Sequence, residues 1–121
     1  MKYMLLVHHD EDVLDALDER ELQALRTESV QLANEINSNG QYVDAAPLHP
    51  SSTGTCVRMR NGQRVITDGP FAETREQLGG YFLINAPDLD EALKIAARVP
   101  GARIGTVEIR PVMKLDGLPE K

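Results

Sequence analysis

Apolar and polar residues follow two different periods along this chain, and the changes between them mark out the elements. Residues 3–8 form a short, nearly unbroken apolar run, the pattern of a strand covered on both faces and central in its sheet. An acidic stretch, 10–18, leads from it into a helix over Glu19–Ser38. Within that helix Leu22, Leu25, Leu32, Ala33 and Ile36 fall along one side of a 3.6-residue period. Asp18 and Glu21 have the spacing of a capping box, and Asn39-Gly40 closes the helix. Residues 41–48 read as a second extended segment, ended by Pro47 and Pro50. Segments 55–60 and 63–67 flank Asn61-Gly62, whose tolerance of positive φ predicts a hairpin. A loop rich in glycine and charge, 68–80, precedes another buried strand at 81–85. Asp88 and Glu91 cap a second helix with an apolar stripe of Leu89, Ala92, Leu93, Ala96 and Ala97. Pro100-Gly101 stops that helix, and 104–112 is the last strand.

This order predicts an α+β fold, a ferredoxin-like βαββαβ unit with an inserted β-hairpin and an antiparallel sheet. Both helices then lie on one face of the sheet. The first strand is apolar on its other face too, and the chain has no third long helix to cover it. A second copy is the simplest cover, so a homodimer is expected. The organisation is a single domain over 1–113 followed by a polar tail, 114–121.

Composition narrows the function. The 121 residues suit one hydrophobic core, built mainly from Leu, Val, Ile and Ala because aromatics are only 4% and Trp is absent. Thirteen basic against 19 acidic residues leave a formal charge of −6, which disfavours nucleic acid and anionic membranes as partners. The single Cys implies no disulfide, and the opening apolar run is too short for a signal peptide, so the expected location is the cytoplasm. No cofactor motif or metal-ligand spacing is present: Gly79-Gly80 lacks the residues of a phosphate loop.

The candidate chemistry lies in a few side chains. Asp68, between a strand and Gly69-Pro70, reads either as a general base or acid raised by partial burial, or as an Asx-type turn cap. His8 and His9 point to opposite faces of a strand, which argues against a shared metal ion. His8 or Tyr81 would partner Asp68 in acid–base work, or His8 is a satisfied strand-end histidine. Arg58, Arg60, Glu108 and Arg110 alternate with apolar neighbours and so face away from the helices. Their guanidinium groups would either hold an anionic ligand or pair with Glu across strands. Phe71 reads as a plug of the core or of a dimer seam, Cys56 as a small buried side chain, and His49 as a surface residue.

The segment Thr67-Asp68-Gly69-Pro70-Phe71-Ala72-Glu73-Thr74-Arg75-Glu76-Gln77-Leu78-Gly79-Gly80-Tyr81 resembles the signature of the DGPF branch of YCII-related proteins. The opening six residues, the helix after Asp88 and the stretch 100–112 are similar to that family as well. The resemblance implies a dimeric α+β barrel in which two ferredoxin-like sheets face each other around a cleft. Some YCII-related proteins are thought to work through a His–Asp pair with the His on the first helix; here Glu19–Ser38 contains no His. The resemblance also carries a regulatory link to extracytoplasmic-function sigma factors. The resulting expectation is a small-molecule-binding homodimer, taking an anionic organic ligand, with a sensor or accessory role. An acid–base enzyme acting on a small organic acid and a protein-interaction module are the alternatives.

Overall fold

The computed structural model describes residues 1–120. Four strands form one antiparallel sheet: β1 (Lys2–His9), β2 (Tyr42–Pro47), β5 (Gln77–Asn85) and β6 (Gly105–Pro111), in the order β2-β5-β1-β6. β3 (Thr55–Arg60) and β4 (Gln63–Asp68) make a separate two-stranded hairpin, inserted between β2 and β5. The helices are α1 (Glu11–Asp15), α2 (Glu19–Ser38), α3 (Leu89–Ala96) and α4 (Gly101–Ile104). Strand order and antiparallel pairing are those of the ferredoxin-like α+β arrangement, with β1 central as its continuous apolar run requires.

Local chemistry sets the boundaries. The Asp18 carboxylate accepts from Glu21 N over 2.8 Å, and Asp18 N donates back to the Glu21 carboxylate over 3.2 Å, so the capping box is closed. Asn61 (φ 51°) and Gly62 (φ 75°) both take left-handed backbone, as a tight two-residue hairpin turn demands. Three stretches differ from the sequence reading. The acidic segment before α2 contains α1, capped by Asp10, whose side chain accepts from Asp12 N over 3.0 Å. Pro100-Gly101 does not simply end a helix: it opens α4, and β6 begins at Gly105. β5 also starts four residues before Tyr81, because the glycine pair belongs to the strand.

The register separates two faces. Leu5 lies opposite Phe82 on one side and Ile109 on the other, and Tyr3 opposite Ile84. These side chains meet Leu32 and Ile36 of α2 and Ala92, Ile95 and Ala96 of α3 to form the core. On the opposite face Leu6 lies between Tyr81 and Glu108, and Met4 between Leu83 and Arg110. Met4, Leu6 and Leu83 are only half-buried, and no element among the described residues covers them.

α2 is packed unevenly. Leu32 and Ile36 in its second half are buried, whereas Leu22 and Leu25 in its first half are half-buried. Ion pairs from Arg98 to Glu35 and from Arg103 to Glu28 (2.7 and 3.0 Å) tie the helix to the α3–α4 region. The first half of α2 therefore stands off the sheet, and a cleft opens beneath it.

Candidate functional site

That cleft has a volume of about 1160 Å³ and lies between α1, α2 and the helix-covered face of the sheet. Its walls are largely apolar, from Leu14, Leu17, Leu22, Leu25 and Ala33 across to Phe82. Polar groups gather at the α1 end, where β1 delivers His9 and α1 delivers Glu11. A large apolar pocket with a few convergent polar groups is the usual form of a small-molecule site.

The position of His9 depends on a β-bulge. Val7 pairs with Gly80 but His8 with Leu78, so Gly79 has no partner in β1. The imidazole of His9 lies over that glycine: a Cβ at position 79 would fall 2.0 Å from His9 Cε1. Gly80 has a different reason, since a Cβ there would lie 2.9 Å from the carbonyl oxygen of Ala46 in β2. The glycine pair thus serves close packing within the sheet.

Glu11 fixes the far lip of the cleft. The amide and the hydroxyl of Ser51 both donate to its carboxylate, the amide over 2.7 Å. The Ser51 hydroxyl, then its amide, then the nearby His9 hold the Glu11 carboxyl below the ordinary value of 4.5. A depressed carboxylate contributes stability that is fully present above about pH 4.5 and is lost as pH falls through the folded value. The Ser51 amide signal in an NMR titration is therefore expected to move with a midpoint below 4.5, and Glu11→Gln to abolish that step. A midpoint above 4.5 would show that the tether does not stabilise the ionised form.

The residues singled out in the sequence do not converge on one place. His8 lies on the open face of the sheet, its Nε2 3.2 Å from Glu108 Oε1. Arg110 Nε donates to the other oxygen of Glu108 over 2.7 Å. Arg110 first and His8 second hold Glu108 below its ordinary value. Arg110 is therefore paired, but within its own strand and not across strands. Tyr81 shares this face and donates to Asp44 Oδ2 over 2.8 Å, which pushes the phenol above the ordinary 10.0. A phenol held that way keeps its proton at neutral pH.

Arg58 belongs to the separate hairpin and is exposed there, so it does not join Arg110. Asp68 ends β4, exposed, with no hydrogen bond of its carboxylate among the described residues. Neither the partial burial of a tuned base nor the Asx-type bond is present. It is Gly69, at φ 91°, that makes the turn there, its amide donating to Gly54 O over 2.7 Å. Phe71 is 81% exposed and plugs no part of the monomer core. Cys56 is half-buried, its Sγ 3.3 Å from Gly69 O. His49 sits at the mouth of the cleft. Among the described residues no cluster of His, Cys, Asp or Glu could hold a metal ion, and no helix is long and apolar enough to cross a membrane.

The YCII-related domain matches residues 1–116, nearly the whole chain. This chain belongs to the YCII-related family. An uncharacterised protein of Rhizobium meliloti (strain 1021) is 33% identical over 114 residues, which cover 93% of this chain and 92% of that one. The YCII-related fold here places its apolar cleft on the helix side of the sheet. Sequence reasoning looked for the site on the other side, and missed Glu11, Ser51 and the lining leucines.

Proposed function

We propose that this YCII-related protein is a small-molecule-binding homodimer in which each protomer holds its ligand in the cleft under α2. The observation that carries this reading is the cleft itself: about 1160 Å³, apolar-walled, with His9 and Glu11 at one end. A sensor or accessory role suits a chain in which several titratable groups, on both faces of the sheet, are tied to structural partners. Glu11 is engaged by Ser51, His8 by Glu108 and Tyr81 by Asp44. Dimerisation is supported by the uncovered sheet face and by the hairpin. β3 and β4 expose Val57, Met59 and Ile66 on a two-stranded unit too small to be stable on its own surface.

Two measurements test the two halves of this reading. Titration with the neutral apolar probe N-phenyl-1-naphthylamine is expected to shift NMR signals of α1, the first half of α2 and Gly79-Gly80. Ala33→Phe, which fills the cleft, should weaken that binding by about tenfold, on the order of one lost apolar contact surface. Shifts confined to the hairpin or the open face would overturn the cleft as the site. Light scattering should give twice the 13.4 kDa chain mass, and Leu6→Asp should return a folded monomer. A Leu6→Asp variant that remains a dimer would remove the open face from the interface.

A further inference from the structure

The charge around the cleft is one-sided, and this bears on what it can hold. Glu11, Asp12 and Asp15 line it from α1, while Arg26 of α2 is the one lysine or arginine among the lining residues. Asp12 and Asp15 are three apart and lie on neighbouring positions of the helix surface. Among the described residues neither carboxylate accepts a hydrogen bond or forms an ion pair, so both are available to a ligand. Glu11 is committed to Ser51 and ionised at neutral pH, which fixes a further negative charge at the same end.

We propose that the cleft takes an amphipathic cation, a molecule with an apolar body and an ammonium or guanidinium head turned towards α1. The body lies between Leu22 and Leu25 of α2 and Phe82 of β5. The head reaches Asp12 and Asp15, at the end of the cleft that His9 also lines. An anionic head would meet three carboxylates at that end and lose affinity through like-charge repulsion. The overall charge of −6 steers in the same direction, drawing cations towards the protein and repelling anions. This inference rests on the cleft being the ligand site, and it replaces the anionic ligand expected from the arginine pattern.

The test uses three probes with the same tail: octylammonium, octanol and octanoate, titrated by calorimetry into the intact protein at pH 8 and low salt. The ammonium is expected to bind at least about tenfold more tightly than the carboxylate, with the alcohol between them. Adding 0.3 M salt should narrow the gap, because exposed charges are screened. The double variant Asp12→Asn, Asp15→Asn should narrow it to about threefold or less. Equal binding of all three, or preference for octanoate, would overturn the cationic class while leaving the cleft as a site for apolar molecules. A gap that the double variant does not change would overturn the role of Asp12 and Asp15 in reading the head group. No binding by any of the three, together with no response to the neutral naphthylamine probe, would remove the cleft as a site and this inference with it.

Discussion

Leu5→Ala is expected to destabilise the protein by about 3–4 kcal/mol, the cost of removing a fully buried leucine and leaving a cavity that cannot collapse. Leu5 is completely buried, with Phe82 and Ile109 opposite it on the two neighbouring strands. Its space is bounded by backbone on one side and by helix side chains on the other, so relaxation is restricted. For a domain of this size the loss corresponds to a fall in melting temperature of roughly 10–15 °C. Leu6→Ala, one residue along and on the opposite face, is expected to cost about 1 kcal/mol in the monomer, because Leu6 is only half-buried there. Urea denaturation of both variants, at protein concentrations where the chain is monomeric, decides the point. Equal losses would mean that the two faces have been assigned wrongly.

Gly105→Ala is expected to cost about 3 kcal/mol, at the upper end of overpacking effects. A Cβ at position 105 would lie 2.1 Å from the carbonyl oxygen of His8 and 2.9 Å from His9 Cα. Both are backbone atoms, so no rotamer change relieves the contact and the ends of β1 and β6 must separate. Gly79→Ala makes an equally short contact, but with the movable ring of His9. It should cost less stability and instead displace the imidazole from the cleft. Amide hydrogen exchange distinguishes them: Gly105→Ala should speed exchange along the β1–β6 pairing, and Gly79→Ala should leave it unchanged. Normal protection in Gly105→Ala would show that the strands tolerate the added methyl.

Much of the fold was legible because its signals are local. The apolar run of β1, the Asp18–Glu21 box and Asn61-Gly62 each set an element through contacts within a few residues. α1 was missed because a five-residue helix has no room for an apolar period, and only Asp10 as cap announces it. The early start of β5 was missed because Gly79 and Gly80 read as loop residues, whereas their lack of side chains is what admits His9 and Ala46. The site was less legible than the fold. Alternation correctly placed Glu108 and Arg110 away from the helices, yet it could not show that Arg58 belongs to a different sheet. Nor could the pattern of α2 reveal that Leu22 and Leu25 border a void while Leu32 and Ile36 fill one. That difference is made by long-range packing and by ion pairs such as Arg103–Glu28, whose partners lie 75 positions apart.

The place of β1 in the sheet also governs when this molecule can come into being. Its two neighbours are β5 and β6, so β1 is paired only by segments that leave the ribosome well after it. Until residues beyond 105 have emerged, β1 has at least one bare edge, and its most apolar side chains lack half of their core. Early docking of α2 and the hairpin cannot supply either. The chain can therefore complete its sheet only once β6 has emerged, through contacts of high sequence separation that form slowly. Until then the exposed β1 is the segment most in need of protection from neighbouring nascent chains.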